Sequence, residues 1–599
     1  MLNLIPQPRK VTIQDGAYHK GAVKGLTLQM PLEDTRLIEE AGSIFSADIP
    51  LTVQKADHFY LLKTSVETAC VPQADELKVL QENEEGYLLA LSQEGLFLYA
   101  MSARGLFYGM RTIIQLFAGR ESVPYCRILD WPRIKMRSMY YDLRQTFPYP
   151  DKLIAYIREM ADYKINTLII EHEDKIDFQY DPELTAKEAV LTEAQLHEIK
   201  QTAYRNFIEI IPLQQTFGHL EYVLKHDKYR HLRETPEAVG EMCPCREESF
   251  AVAAGLLDEI ISAHPLSRYV HIGCDEVWSL LSCPHCQKRY GHNKNKLFID
   301  YVNQVINHVC EKEKIPIIWH DMLGQCSDEE IGHLDNRAVV MIWLYNGLDV
   351  EQQVTRLARR FRAARIEVMG APAVRCHDSD DLQNIPHFDR RIANIDQWVN
   401  AAVKLNLSCL VSTNWATAFS MGAPYGLLET SFYLMYYSAE RYWNPEAESS
   451  SYLSRYLEIF HGMAQKDAIT AAGSSRVEDY YLLIPSLAAK VNRKKEIAEL
   501  FLAIHQFEES RWPFQAAISY AYRYQRYKAC EAEMTSLKYR ISRYTKQFKE
   551  AKTPLYEAVA QFLPPQMARM YVDARYTAYE FLSDEFFDPM LASIAQGLP

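Results

Sequence analysis

Nowhere does this chain of 599 residues hold a run of about 18 consecutive apolar residues, so no segment of it reads as a membrane-spanning helix. The first ten residues, Met1 to Lys10, have no apolar core of signal-peptide length, and a cytoplasmic location is expected. Basic excess is also missing: 65 Lys and Arg stand against 78 Asp and Glu, a net charge of −13, which argues against a nucleic-acid partner. Twelve cysteines are too few for a disulfide scaffold and suit a reducing compartment. No internal repeat or low-complexity segment is visible. What is present is ordinary globular material, 48% hydrophobic and 24% charged, in a length that predicts two to four domains.

Three regions differ in pattern. Residues 1–132 mix short strand-like runs (Val11–Ile13, Phe59–Leu62, Tyr87–Leu91) with a helical pattern over Ala103–Phe117, and Trp131-Pro132-Arg133 reads as a linker. This predicts an N-terminal α+β domain. Residues 133–445 alternate strand and helix eight times, the pattern of an α/β protein with a (β/α)8 TIM barrel. The strands expected are Ser138–Tyr141, Thr167–Ile170, Ile208–Leu213, Tyr269–Ile272, Ile315–Trp319, Val339–Trp343, Ile366–Gly370 and Cys409–Ser412. Thr192 with Gln195, and Ser327 with Glu330, are capping boxes that open helices between them. Residues 446–599 carry helical periodicity rich in Tyr and Arg and predict a C-terminal helical domain, its aromatic stripes being packing faces or a homodimer interface.

The chemistry concentrates where the fourth expected strand ends, at His271-Ile272-Gly273-Cys274-Asp275-Glu276. Two acids at a strand mouth can be given different environments, one made a proton donor and the other kept ionised. In a barrel the residues after each strand face one site. Those mouths supply Asp142 and Arg144, Glu171 to Asp174, Gln215 to His219, Trp319 to Asp321, Trp343 to Tyr345, and Asn414-Trp415. Several acids, one arginine and three tryptophans suit a sugar, whose CH faces stack on indole while its hydroxyls need charged partners.

The His-x-Gly-x-Asp-Glu motif resembles that of the family 20 glycoside hydrolases, the β-N-acetylhexosaminidases. The run Ile211 to His219, with Leu224-Lys225-His226 and His231 to Glu234, is similar to the hexosaminidase D branch and its bacterial relatives. Gly105 to Phe117, Asn166 to Asp174 and Ala439 to Trp443 extend the resemblance over roughly residues 85 to 445. It implies an exo-acting hydrolase that uses the substrate's own acetamido oxygen as nucleophile, needs no cofactor, and leans toward N-acetylgalactosaminides. Glu276 becomes the general acid, Asp275 the group that orients the acetamide, Asp174 and His219 a relay to the acid, and Arg144 the holder of ring hydroxyls. Trp319, Trp343 and Trp415 are expected to line the pocket. Two departures stand out: Glu171 replaces the family's strand-two histidine, and Ala373-Val374 falls where a strand-seven tyrosine is usual, for which Tyr345 is the expected substitute. After Trp415 comes Ala416 rather than an acid, and Glu429 is assigned the outer hydroxyls. The rival readings are a non-catalytic carbohydrate-binding protein on a hydrolase scaffold and a metal-dependent hydrolase built on His172, His219 and His320.

One cluster stands outside this scheme. Cys283-Pro284-His285-Cys286 has the gap of a zinc knuckle, and Cys243-Pro244-Cys245 supplies a second close pair. A structural zinc on Cys243, Cys245, Cys283 and Cys286 is expected, against free cysteines or a reversible disulfide.

Overall fold

The computed structural model describes residues 2–45, 48–64, 71–144, 150–186, 190–376, 386–415, 431–461, 493–527 and 534–582. Glu429, Ala416 and Thr417 lie outside them. No helix among the described residues is long and apolar enough to cross a membrane.

Seven strands form the N-terminal sheet: β1 (Lys10–His19), β2 (Leu26–Met30), β3 (Leu51–Lys55), β4 (Tyr60–Thr64), β5 (Tyr87–Ser92), β6 (Gly95–Ala100) and β7 (Ser122–Asp130). They lie in the order β1-β7-β5-β6-β4-β2-β3, all pairs antiparallel except β2 with β3. The helix Ala103–Phe117, capped by the Ser102 hydroxyl, buries its apolar stripe on this sheet.

The barrel follows. Its strands are β8 (Met136–Asp142), β9 (Thr167–Glu171), β10 (Glu209–Leu213), β11 (Tyr269–His271), β12 (Ile315–Trp319), β13 (Val339–Trp343), β14 (Glu367–Ala371) and, after a short β15 (Ala373–Arg375), β16 (Cys409–Asn414). Each pairs in parallel with its neighbour, and β16 returns to β8, so the ring closes on eight strands with β15 appended. All eight expected strands are present. Their inward side chains, among them Tyr140, Ile169, Ile211, Ile317, Trp319, Met341, Met369 and Val411, fill the interior, so this is a packed core and not a pore. Gly370 on β14 permits one close approach: a Cβ there would sit 2.4 Å from the ring of Trp398, on the helix Phe388–Leu405.

Sheet and barrel are locked by buried charge. Lys164 donates to Asp130 at 2.9 Å, and the same carboxylate accepts from Tyr87 and from the Trp443 indole at 2.7 and 2.8 Å. Beyond the barrel, Arg455 reaches back to Glu440 and to the Leu4 carbonyl. Helices Lys494–Tyr527, Met534–Glu550, Lys552–Val559 and Pro565–Leu582 follow, and the first of them packs near the turn Glu221–Leu224 after β10. A polar cleft of about 860 Å³ opens at the strand starts, between Arg104, Glu209 and Arg268, on the end of the barrel away from the strand mouths.

Candidate active site

At the mouth of β11 the backbone is forced into an uncommon shape. Gly273, Cys274 and Glu276 all have positive φ, at 68°, 68° and 51°. His219 at 52° and Glu173 at 48° do the same on neighbouring mouths. For residues with a Cβ this costs on the order of 1–3 kcal/mol each, and such strain gathers where side-chain direction matters. The glycines are fixed by contact as well as by φ. A Cβ on Gly273 would meet the Gln215 amide oxygen at 1.8 Å, and one on Gly218 would meet the Asp275 carbonyl at 2.3 Å. The loop after β10 therefore lies directly on the backbone of the acidic pair. Thr216 ties the two further, donating to the Ile272 carbonyl at 2.8 Å.

His219 stands between the two acids. Its Nε2 is 3.4 Å from Asp275 Oδ2 and 3.4 Å from Glu276 Oε2. The acids themselves are unequal: the Asp275 side chain is 10% exposed and that of Glu276 37%. Burial works to raise the Asp275 carboxyl, but the His219 imidazole and the nearby Arg144 outweigh it and hold the group below the usual range. Burial likewise opposes a charge on His219, yet Asp275 and Glu276 together push its imidazole well above the ordinary histidine value. Both shifts favour an imidazolium against an ionised aspartate. The motif histidine, His271, differs. Burial lowers it to about 3, and its Nδ1 accepts from the Gly273 amide at 3.1 Å, which favours a neutral ring, tilted at 49° to that of Trp319 at 4.3 Å.

Arg144 is fixed by acids. Its Nε lies 3.1 Å from Asp142 and 3.2 Å from Glu171, with Nη2 3.1 Å from Asp142. Glu171 is bonded in turn by Tyr140 and by Gln215 at 3.1 Å. Glu171, the departure noted in sequence, thus orients the arginine. Trp415 lies 5.3 Å beneath the guanidinium and 4.7 Å from Tyr140. Tyr345 stacks on Trp343 at 5.2 Å and faces Trp415 at 6.3 Å, so the four expected aromatics form one group with Trp319 at its floor. Asp275 Oδ1, Trp319 Nε1 and the Tyr345 hydroxyl are buried without a well-aligned partner among the described residues. Orphaned polar atoms converging on one mouth mark where a polar ligand would be bound.

Several expectations change. The relay was to run from Asp174 through His219, but Asp174 pairs with Lys175 and, at 3.9 Å, Lys225, while His219 faces Asp275 and Glu276. An ammonium one residue away competes for that carboxylate. Burial does not enclose the acid Glu276, whose side chain is 37% exposed; it falls on Asp275 and on Asp321, whose Oδ2 accepts the Glu276 amide at 2.9 Å. Burial, then the charge of Asp275, raises Asp321 to about 7. Sequence placed Asp321 at a strand mouth but could not show that it supports a residue 45 positions earlier. His172, His219 and His320 do not converge: His172 meets His264 at 2.9 Å, and His320 accepts from the Trp343 amide at 3.3 Å. Among the described residues the one group able to hold a metal is Glu234, Cys243, Cys283 and Cys286, and Cys245 is not in it.

Comparison with known proteins gives two family matches: glycosyl hydrolase family 20, catalytic domain, over residues 135–361, and glycosyl hydrolase family 20, domain 2, over residues 1–131. Together they span more than half of the chain. Hexosaminidase D of Bos taurus is 26% identical over 294 residues, 47% of this chain and 84% of that protein. Hexosaminidase D of Homo sapiens is 28% identical over 279 residues, covering 45% of this chain and 57% of its own length. In fold, the chain is similar to the chitobiase of Flavobacterium johnsoniae, with a TM-score of 0.60 and 14% identity over all of this chain and 96% of that one.

Proposed function

We propose, for a chain that belongs to glycosyl hydrolase family 20, that it is an exo-acting β-N-acetylhexosaminidase working with retention through the substrate's own acetamido group. The observation that carries this reading is the unequal pair at the β11 mouth, Asp275 buried and held ionised beside His219, and Glu276 turned toward the opening.

The two roles follow from that inequality. Asp275 presents an unpartnered Oδ1 to a substrate N–H, so it can orient the acetamide and offset the positive charge that develops on its nitrogen. The acetamido oxygen attacks the anomeric carbon as Glu276 gives its proton to the departing glycosidic oxygen; the C–O bond to the leaving group breaks and an oxazolinium forms. Glu276 then takes a proton from water, which opens the ring and restores the configuration. Arg144, its position set by Asp142 and Glu171, is assigned to the ring hydroxyls. Trp319, Trp343, Trp415 and Tyr345 enclose the sugar, and the buried Tyr345 hydroxyl supplies a donor for the acetamido oxygen.

The reading extends to sugar preference. Ala416 stands where an acid for the outer hydroxyls is usual, and β-GalNAc is expected to be hydrolysed at least as well as β-GlcNAc. The two differ only at the 4-hydroxyl, a distinction worth a few kcal/mol at most. A panel of aryl β-glycosides with GalNAc, GlcNAc, galactose and glucose tests both levels. Turnover confined to the acetamido sugars supports the mechanism. Equal turnover of galactosides, or binding without turnover, would refute it, and a strong GlcNAc bias would remove the preference alone.

A further inference from the structure

We propose that Glu234, Cys243, Cys283 and Cys286 form a structural zinc site that pins together the loops after β10 and β11, beside the acidic pair. Their donor atoms lie within 4.8 Å of one another and all four residues are buried. Cys243 Sγ is 3.2 Å from Cys283 Sγ and 3.5 Å from Cys286 Sγ, and Cys286 Sγ is 3.5 Å from Glu234 Oε2. Zinc–sulfur bonds of about 2.3 Å and zinc–oxygen bonds of about 2.0 Å put tetrahedral edges at roughly 3.5–3.8 Å, close to this spacing.

The local backbone is arranged to present these donors. Cys283 caps the helix Pro284–Tyr290 and its sulfur accepts the Cys286 amide at 3.3 Å, which brings the two sulfurs of the Cys-x-x-Cys pair to one side. An antiparallel bridge between Arg233 and Met242 sets Glu234 next to Cys243, and the Cys243 amide bonds the Leu232 carbonyl at 2.7 Å. Glu234 Oε1 accepts the Cys283 amide at 3.0 Å. No lysine, arginine or histidine pairs with this buried carboxylate among the described residues. Cys245, two residues beyond Cys243, is partly buried and its thiol interacts with Cys286, but its sulfur falls outside the four-donor group. Zinc binding would release the three thiol protons to solvent and hold a tetrahedral centre of three thiolates and one carboxylate.

The consequence is positional. Ser279, between Glu276 and Cys283, donates to Glu241 from both its amide and its hydroxyl at 2.6 Å, so the two loops meet at a second point on the way to the metal. The centre fixes the segment that carries Glu276 without touching substrate.

Full-length protein purified without added metal should hold about one zinc per chain by elemental analysis. Its cobalt-exchanged form should show tetrahedral ligand-field bands with thiolate charge transfer of three-sulfur intensity. Strong chelator should strip the metal and lower the melting temperature. Cys283→Ser should lose the metal and Cys326→Ser keep it. Glu234→Gln should weaken retention by at least roughly ten- to a hundredfold, the scale set even by groups that only support a ligand, while Cys245→Ser should leave it unchanged. The wild-type measurements decide the question even if Cys283→Ser does not fold. Metal-free protein with reactive thiols and a melting temperature indifferent to chelator would overturn the site. So would a Cys243–Cys283 disulfide in unreduced peptide maps. Loss of metal in Cys245→Ser with retention in Glu234→Gln would overturn the fourth ligand.

Discussion

Replacing Asp275 by Asn isolates what its charge does, because the amide keeps one acceptor oxygen in nearly the same volume. In the resting site the carboxylate lies 3.4 Å from the His219 imidazolium. At an effective dielectric of 20 that contact is worth about 5 kcal/mol of gross attraction, before the cost of burying both groups is subtracted. Without it, His219 should lose its proton near neutral pH and avoid most of the penalty of an unpaired buried charge. The stability change therefore depends on pH in a defined direction. His219 is raised in the folded wild type, so its contribution is complete below about pH 6.5 and fades as pH rises through the folded value. The variant should lose most stability in acid and least in alkali, as read from urea transitions. Catalysis should fall by about 10²–10³ in kcat, the cost of removing one preorganised partner of a developing charge, about 2.7–4 kcal/mol. A series of aryl glycosides with increasingly fluorinated acetamides provides the second readout. Wild-type rates should drop steeply as fluorine weakens the nucleophilic oxygen, and the variant should bind the sugar while losing rate. A flat fluorine series in the wild type would refute the acetamido mechanism, and a stability loss uniform across pH would refute the His219 pairing.

Glu276→Gln should cost about 10²–10⁴ in turnover on glycosides with poor leaving groups and far less on activated phenols, measured as a leaving-group plot; equal losses would contradict its role as acid. Asp321→Asn keeps an acceptor for the Glu276 amide but removes a carboxyl that the folded state keeps protonated to about pH 7. The folded chain binds that proton more tightly than the unfolded one, so wild-type stability should decline between about pH 4 and 7 from this group, and the variant should lack that decline in urea titrations. Lys164→Met leaves Asp130 buried without its cation between sheet and barrel and should cost about 3–5 kcal/mol in denaturant unfolding, with kcat of the remaining folded enzyme unchanged.

How much of this the sequence carried depends on the range over which each feature is set. Val339–Trp343 and Ile315–Trp319 were legible because parallel barrel strands are buried on both faces and read as unbroken apolar runs. The capping boxes at Thr192 and Ser327 close within four residues, and both form as expected. Spacing alone misjudged the cysteine cluster, since Cys243-Pro244-Cys245 fixes chain distance and not side-chain direction, and Glu234 reaches the sulfurs only through the Arg233–Met242 bridge. Asp174 is engaged by Lys175 and Lys225 while His219 meets the acidic pair, a tertiary choice of partner that spacing does not encode. Asp321 could be placed at a mouth, but its bond to the Glu276 amide is a tertiary contact that no pattern encodes.

Adjacent residues on an extended strand point to opposite sides and would place Asp275 and Glu276 in different compartments by default. Here the left-handed turns at Cys274 and Glu276 bring both carboxylates onto one imidazole nitrogen while leaving them unequally open. The inequality is then sharpened by neighbours that chain proximity does not supply. His219 and Arg144, the latter held by Asp142 and Glu171, lower the Asp275 carboxyl, whereas Glu276 is tied through its backbone to Asp321 and keeps a side chain 37% exposed at the opening. A group that must stay ionised needs fixed positive partners; a group that must give and regain a proton needs freedom to follow the reacting oxygen. The strain at the β11 mouth is the structural means of separating those two requirements within a single dipeptide.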